Sequence, residues 1–270
     1  MKMNSNRYII EYLKRLKGRK IRYIPNRGNA GDSMIAYATL QVFRKIGLDF
    51  DINDIGAKCS KDEVVVFGGG GQRLDRCQDL ANVMSKYQQS NEILILPSTI
   101  QHAGKLLESL EDNVTIFARE KVSYNHIKSN MKFPRNAYIS DDMAFYMEGL
   151  EDYSNKHATG ILNAIRVDFE KTELSLPKNN KDISTIFTKP HNTLKEEVIN
   201  LCTHKMLSCI SNFAEINTNR LHVAIGGVLL GKKVNIYANS YYKCKAAYEY
   251  SIENRYPDVT FIDRTKGLIN

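Results

Sequence analysis

One stretch decides the fold of this chain, and it runs Asn217-Thr-Asn-Arg-Leu-His-Val-Ala-Ile-Gly-Gly-Val-Leu-Leu-Gly-Lys-Lys-Val-Asn-Ile-Tyr237. A polar turn leads into an apolar helix, Gly231 ends that helix, and a short β-branched strand follows. Arg220 and His222 stand where the helix begins, so a cation and a titratable imidazole lie beside outward-pointing backbone N–H groups. Such a helix start favours an anion. The stretch therefore predicts a site for a phosphorylated or carboxylated ligand.

The same alternation of strand and helix extends through the whole chain. Helical periodicity is found over residues 32–46, 74–88, 194–210, 221–230 and 243–253. Short apolar segments between the helices are predicted to be strands, with the bounds 21–25, 64–67, 93–96, 114–118, 137–139, 161–167, 182–187, 214–216, 233–238 and 259–262. Pro97 is expected to end one of these strands, and the charged segment 171–181 is expected to be a loop. This alternation indicates a parallel sheet with helices on both faces.

A polar segment at residues 148–157 interrupts the alternation and indicates a boundary between two halves. With 270 residues, the chain is long enough for two medium-sized domains. We therefore expect one Rossmann-like, doubly wound domain over residues 1–150 and a second over residues 151–270. In such sheets a ligand binds at the carboxyl ends of the strands, which here means in the cleft between the halves.

The composition is that of an ordinary globular protein, with 43% hydrophobic and 25% charged residues. No apolar run approaches the roughly 20 residues of a membrane span, and the first residues show no signal-peptide pattern. The five cysteines are odd in number and form no Cys-x-x-Cys pair, so reduced thiols are expected. These observations favour a cytoplasmic protein, and neither a metal nor another cofactor is expected.

Basic residues are concentrated near the start of the chain, whose net charge is +8. Residues 7–22 contain seven Lys and Arg residues against one acid, Glu11, with apolar and tyrosine side chains between them. This pattern is typical of an amphipathic helix on an anionic membrane, here the inner face of the cytoplasmic membrane. Alternatively, the helix docks its apolar face on its own domain. Nucleic acid is not an expected partner, because the sequence contains no recognition module.

Two glycine-containing turns follow strands of the first half and are candidate binding loops. In the first turn, Asn29 and Asp32 can bind hydroxyls or cap the next helix. The second is a run of four glycines at 68–71, where Gly69 and Gly70 allow close approach of a ligand or of another backbone segment. Neither turn has the spacing of a dinucleotide fingerprint or of a P-loop.

Three further side chains stand at predicted strand ends. Arg119 and Arg166 can bind a phosphate or a carboxylate bidentately, and Asp142 can accept a hydrogen bond from a hydroxyl. Each has a structural alternative, which is an ion pair for Arg119, a helix cap for Asp142 and surface exposure for Arg166. The other five histidines lie in loops or on polar helix faces, so His222 is the histidine expected to act in chemistry.

Taken in order, these elements resemble the polysaccharide pyruvyl transferase family. The resemblance rests on Gly28-Asn-Ala-Gly-Asp32, the glycines at 68–71, Ala118-Arg-Glu120 with Ser123, Asp142 with Ala144-Phe145, Arg166, and Thr218-Asn-Arg-Leu-His222 with Gly231-Lys-Lys-Val234. The most specific part is Arg-Leu-His followed by an apolar helix and Gly-Lys-x-Val. Relatives often have Asp-Pro-Ala where this chain has Asp142-Met-Ala. The resemblance implies two Rossmann-like domains arranged as in glycosyltransferases of the B type.

The resemblance also implies an activity. An enolpyruvyl-derived unit passes from phosphoenolpyruvate to two hydroxyls of a sugar, which gives a cyclic pyruvate ketal and phosphate. The residues expected to take part in catalysis are His222, Asp32 and Arg166. Substrate contacts are expected from Asn29, Gly69, Gly70, Arg119, Asp142, Asn219 and Arg220. The donor is expected on the second half, with His222 as proton donor or phosphate contact.

The expected acceptor is a lipid-linked saccharide used for capsule or exopolysaccharide. Two other functions stay open at this point. One is a nucleotide-sugar-dependent glycosyltransferase with the same two-domain build, and the other is a non-catalytic saccharide-binding or anion-binding protein. Stabilisation by a nucleoside diphosphate, but not by phosphoenolpyruvate, would favour the glycosyltransferase.

Overall fold

A computed structural model describes residues 8–72, 78–188 and 195–268, which form parallel sheets covered by helices. The strands of the first sheet are β1 Lys20–Ile24, β2 Asp49–Ile52, β3 Val64–Phe67, β4 Gly70–Gln72, β5 Glu92–Ile100, β6 Val114–Ala118 and β7 Ala137–Ile139. They pair in parallel in the order β2-β1-β3-β5-β6-β7, with β4 beside β5. The helices of this half are α1 Tyr8–Lys14, α2 Ala30–Ile46, α3 Gln78–Tyr87, α4 Gly104–Ser109 and α5 Lys121–Asn130.

The second half contains a smaller parallel sheet. Its strands are β8 Ile161–Ala164, β9 Glu173–Ser175, β10 Glu215–Thr218, β11 Lys233–Tyr237, β12 Val259–Ile262 and β13 Lys266–Leu268. The main sheet has the order β12-β11-β10-β8, and β9 pairs with β13 separately. The helices are α6 Ile183–Ile186, α7 Glu196–Ser211, α8 Leu221–Leu229 and α9 Lys243–Ala247, which continues as a π-helix over Tyr248–Ile252. The predicted mixed α/β fold with parallel sheets is therefore confirmed.

Two predictions within these elements are wrong, and each has a local cause. The expected strand 182–187 is helix α6, because the amides of its first turn donate to the carbonyl of Asp182. A short apolar run does not distinguish a strand from a buried helix. Pro97 does not end β5, because the register with β6 shifts between Ile95 and Ser98. The proline therefore lies in an irregularity of the ladder, where its missing N–H is tolerated.

Four short strands were not predicted from the sequence, and these are β2, β4, β9 and β13. β9 falls within the segment 171–181 that was expected to be a loop. β2 alternates exposed and half-buried residues, so it carries no apolar signal. The first residues of the predicted helices 74–88 and 194–210 lie outside the described residues. The boundary near residue 150 stays a prediction, although the strands of the two main sheets lie on either side of it.

The two halves share an apolar core through α2. Met34 of α2 is fully buried in the same cluster as Leu207 of α7 and Val223 of α8. Gly226 allows α8 to approach α7 closely, since a Cβ at this position would lie 2.9 Å from Ile210 Cδ1. This packing brings the first turns of α2 and α8 together at the carboxyl edges of both sheets.

Helix α1 packs its apolar face on the first sheet. Ile9 and Leu13 are fully buried, and the rings of Tyr8 and Tyr12 lie 6.0 and 5.5 Å from that of Phe117. This is the docked arrangement given as the alternative above. Basic side chains of α1 and of the residues after it are paired with acids. These ion pairs are Lys14–Glu11, Arg19–Glu92, Lys20–Asp49 and Arg22–Glu63. Arg7 lies outside the described residues, and membrane contact stays a prediction. Within the described ranges, no helix combines the length and the hydrophobicity of a membrane-spanning segment.

The glycine run at 68–71 lets three backbone segments meet. A Cβ on Gly68 would lie 2.8 Å from the backbone nitrogen of Asn26, and one on Gly69 would lie 2.5 Å from the carbonyl oxygen of Pro97. Gly70 has a φ of 124°, which side-chain-bearing residues rarely adopt. Close approach of another backbone, one of the two explanations above, therefore accounts for Gly68 and Gly69.

We predict that Gly69→Ala lowers the free energy of unfolding by about 1–3 kcal/mol, because the added methyl must displace backbone on β5. Urea unfolding followed by circular dichroism measures the change. Gly104→Ala is the matched control, because a Cβ there would lie 3.5 Å from its nearest neighbour, Asn130 Oδ1. The control should change stability little or raise it by up to about 1 kcal/mol. Equal stability of Gly69→Ala and wild type would contradict the crowding argument.

Candidate functional site

A cavity of about 650 Å³ lies where α2 and α8 begin, at the carboxyl ends of both sheets. Its wall comes from both halves of the chain. The residues of the first half that line it are Arg27, Gly28, Asn29, Asp32, Gly71 and Arg119. Those of the second half are Arg166, Asp168, Phe169, Glu170, Ser184, Thr185, Thr188, Arg220, Leu221, His222 and Lys243.

The first turn of α2 supplies Asn29 and Asp32. Asn29 Oδ1 accepts from the Gly31 amide at 2.8 Å, and Asp32 Oδ2 accepts from the Asn29 amide at 2.9 Å, so the two form a capping box. Asn29, not Asp32, is the N-cap residue. Burial raises the pKa of Asp32. His222 and the Asn29 amide lower it, but they offset only part of the increase. The carboxyl group is therefore easier to protonate than an ordinary aspartate, as a proton-transferring group requires.

Asp142 connects the cavity walls of the two halves. Its Oδ2 accepts from Arg119 Nη1 at 2.8 Å and lies 3.4 Å from His222 Nε2, while Oδ1 accepts from the Ala144 amide. Burial alone would raise the pKa of Asp142, but His222, Arg119 and that amide together hold it well below its usual range. Asp142 is thus an ionised carboxylate beneath the cavity that fixes a cation and an imidazole above it.

His222 packs against the start of α2. A Cβ on Gly31 would lie 2.6 Å from His222 Nδ1, so only glycine leaves room for the imidazole here. The side chain is 13% exposed and lines the cavity. Arg220 occupies the N-cap position of α8 without making a side-chain capping bond. The helix start is therefore open toward the cavity, as an anion site requires.

Arg119 is fixed from two sides. Its Nε donates to Thr99 Oγ1 at 2.9 Å and its Nη1 to Asp142, and the whole side chain is 1% exposed. Nη2 faces Gly71 on the cavity wall. Arg119 thus forms the ion pair that was its structural alternative. It also lines the cavity, as predicted.

Arg166 and Arg220 face the cavity in a network of acids. Arg166 Nε donates to Asp168 Oδ1 at 2.9 Å, and its Nη1 pairs with Glu170. Arg220 Nε donates to Asp182 Oδ1 at 2.9 Å, and its Nη1 lies 2.8 Å from Asp168 Oδ2. Burial would raise the pKa of Asp168, but Arg166 and Arg220 lower it to about 2. Both arginines are buried and paired, which differs from the surface exposure considered for Arg166.

Asn219 and two of the glycines lie outside the lining. Asn219 is fully buried, and its Oδ1 accepts from the Arg166 amide at 2.9 Å, so it ties the ends of β8 and β10 together. Gly69 and Gly70 pack against neighbouring backbone and side chains, whereas Gly71 lines the cavity. Direct substrate contact by Asn219, Gly69 and Gly70 stays a prediction.

The lining is cationic overall within the part of the chain that the structure describes. It has five basic residues, which are Arg27, Arg119, Arg166, Arg220 and Lys243. Against them stand three acids, which are Asp32, Asp168 and Glu170. A cavity of this charge attracts small anions.

Comparison with known proteins is consistent with this site. The family model described as polysaccharide pyruvyl transferase matches residues 29–241, which is most of the chain and includes all of the lining residues except Arg27, Gly28 and Lys243. The chain belongs to the polysaccharide pyruvyl transferase family. A crystal structure of a functionally uncharacterised protein from Klebsiella pneumoniae subsp. pneumoniae NTUH-K2044 has a TM-score of 0.84 and 32% identity, covering 97% of this chain and 100% of that one. General stress protein 30 of Bacillus subtilis (strain 168) is 24% identical, over 91% of this chain and 82% of that protein. Family membership indicates a transferase that acts in polysaccharide pyruvyl transfer.

The segment Gly231-Lys-Lys-Val234, on which the family resemblance partly rests, has a structural role in this pyruvyl transferase family member. Gly231 takes a φ of 64° at the end of α8. Lys232, which follows it, is buried, and its Nζ donates to the carbonyl of Ser211 at the end of α7 at 2.8 Å. Burial lowers the pKa of Lys232. The Gly-Lys-Lys-Val segment thus joins α7 and β11 away from the cavity.

Several residues that line the cavity of this family member were not predicted as site residues from the sequence. Lys243 had a usable signal, since it begins a predicted helix after a predicted strand. Asp168 and Glu170 follow Arg166 at spacings of two and four residues, but nothing in the sequence shows that they turn back onto its guanidinium. Phe169, which is 78% exposed at the cavity, carried no signal.

We predict that Asp142→Asn lowers the free energy of unfolding at pH 7 by about 3–5 kcal/mol, because Arg119 loses its buried counter-charge. The native pKa of Asp142 lies below its unfolded value near 4. Its stabilisation is therefore fully present above that value and is lost as the pH falls below it. Urea unfolding from pH 3 to 8 measures the difference in free energy of unfolding between wild type and Asp142→Asn. This difference should be constant above pH 5 and should narrow below about pH 4.

Glu148→Gln is the matched control for this series, since Glu148 pairs with Lys45 on the exposed surface. Its effect should stay below about 1 kcal/mol. A gap for Asp142→Asn that is small at pH 7, or that widens on acidification, would exclude the assigned role of the carboxylate.

Proposed function

We propose that this family member uses phosphoenolpyruvate to form a cyclic pyruvate ketal on a sugar and releases phosphate. The observation that carries the proposal is the convergence of Arg166, Arg220 and His222 on one cavity at the open start of α8. This geometry fits a small donor that bears both a phosphate and a carboxylate. It also supports the proposal that the donor binds to residues of the second half of the chain.

The donor needs several cationic groups, because phosphoenolpyruvate carries up to three negative charges near neutral pH. Arginine binds phosphate and carboxylate bidentately, and the helix start adds N–H groups aimed at the ligand. Arg166 and Arg220 are joined through Asp168, so their guanidinium groups lie close together. Two anionic groups on one small molecule match two neighbouring guanidinium groups.

The reaction begins with protonation of the donor's methylene carbon, which creates an oxocarbenium-like carbon. One sugar hydroxyl adds to that carbon and loses its proton, phosphate leaves, and the second hydroxyl closes the ring with loss of its own proton. His222 is the proposed proton donor, because it lines the cavity and Asp142 orients its ring. In this scheme Arg166 stabilises the charge on the departing phosphate.

The acceptor is proposed to enter from the first half, along Asn29, Asp32 and Arg119. The raised pKa of Asp32, which results from burial, suits a group that takes a proton from a sugar hydroxyl. A lipid-linked saccharide is the proposed acceptor, and a glycosyltransferase-B-like arrangement of the two halves is part of the same proposal. Peripheral membrane contact would rest on basic side chains near the chain start, since the apolar face of α1 is buried.

We predict that the purified protein, given phosphoenolpyruvate and an oligosaccharide that contains galactose or an aminosugar, releases inorganic phosphate. The oligosaccharide should gain the mass of one pyruvate ketal, which mass spectrometry detects. His222→Ala should reduce the rate at least about a hundredfold, because the proposed proton donor is lost. Its circular dichroism spectrum should remain that of the wild type.

His157→Ala is the matched control, because His157 is exposed and lies outside the cavity lining. It should retain the wild-type rate. Normal turnover by His222→Ala would refute the catalytic assignment. Phosphate release that depends on a nucleotide sugar in place of phosphoenolpyruvate would refute the proposed donor.

A further inference from the structure

The guanidinium groups proposed to bind the donor are already occupied by carboxylates of the chain itself. Arg166 donates to Asp168 through Nε at 2.9 Å and Nη2 at 3.0 Å, and its Nη1 pairs with Glu170. Arg220 uses Nε and Nη2 on Asp182, and its Nη1 lies 2.8 Å from Asp168 Oδ2. A donor anion must therefore compete with these carboxylates for the guanidinium nitrogens of both arginines.

Asp168 is the carboxylate best placed to move. Its side chain is 28% exposed, against 9% for Glu170 and 3% for Asp182. Asp168 lines the cavity, whereas Asp182 lies behind Arg220 and also accepts from the Val167 amide. Removing Asp182 would take away the carboxylate that Arg220 binds through Nε and Nη2, whereas removing Asp168 opens the cavity side of both arginines.

Asp168 also lies in a tight turn, and its side chain accepts from the backbone of that turn. The Lys171 amide donates to the Asp168 carbonyl at 2.8 Å, and the Glu170 amide donates to Asp168 Oδ1 at 3.1 Å. Phe169, the next residue in this turn, is 78% exposed. The lowered pKa of Asp168 keeps the carboxylate charged at neutral pH, so it competes with any anion for the arginines.

We propose that Asp168 occupies the anion site of the free protein and is displaced by an anionic group of the donor. This inference rests on the function proposed above. It makes Asp168 a specificity-determining residue. A ligand with one anionic group replaces the carboxylate with little gain, whereas a ligand with a phosphate and a carboxylate contacts both arginines and gains more.

The test is isothermal titration calorimetry of inorganic phosphate, and separately of phosphoenolpyruvate, with wild type, Asp168→Asn and Asp182→Asn at one fixed ionic strength. Asn at position 168 keeps an Oδ1 for the Glu170 amide, so the turn is preserved, while the competing charge is lost. We expect the Kd of Asp168→Asn for inorganic phosphate to fall at least about tenfold. Asp182→Asn should not bind phosphate more tightly, because its charge lies behind Arg220.

Hydrogen–deuterium exchange of the wild type provides a second readout that needs no variant. Phosphoenolpyruvate should accelerate exchange in a peptide that contains the Glu170 amide, since Asp168 releases it. Unchanged or weaker phosphate binding by Asp168→Asn, or increased protection of that peptide, overturns the displacement. If phosphoenolpyruvate binds none of the three proteins, the proposed function fails as well. If it binds wild type without tightening in Asp168→Asn, only the displacement fails.

Discussion

The site depends on one buried carboxylate that joins the two halves of the chain. Asp142 follows the last strand of the first sheet and holds Arg119 from the same half and His222 from the start of α8 in the other half. A buried charge is stable only where partners compensate it, and Arg119 and His222 both lower the pKa of Asp142 against the effect of burial. The position of His222 above the cavity is thus fixed by an interaction that also links the two sheets.

Apolar packing makes this interaction possible. α2 lies against α7 and α8 in a common core, and Gly31 and Gly226 let the helices approach more closely than side chains would permit. The first turns of α2 and α8 consequently face each other across the cavity. One turn supplies the capping box of Asn29 and Asp32, and the other supplies an open helix start with Arg220. The donor and acceptor sides proposed here follow from that juxtaposition.

The sequence predicted much of the fold because its signals are local. Buried strands such as Val64–Phe67 and the helix start at Leu221 are visible as apolar runs and turn residues. The α6 segment was misassigned, since its short run of two isoleucines and one threonine around Ser184 fits strand and helix equally well. In the site, Arg166 was predicted because it stands at a strand end, and Arg220 and His222 because they stand at a helix start. Their acidic partners were not, since Asp168 and Asp182 reach the arginines only through loop geometry that no local pattern specifies.

The central claim is that one cavity between the halves holds a small, multiply charged donor against Arg166, Arg220 and His222. A crystal structure of the protein with phosphoenolpyruvate tests it most directly. The account predicts electron density for the phosphate and the carboxylate within hydrogen-bond distance of the two guanidinium groups, with the methylene carbon facing His222. Density for the donor elsewhere on the surface, with the cavity lacking it, would contradict the account.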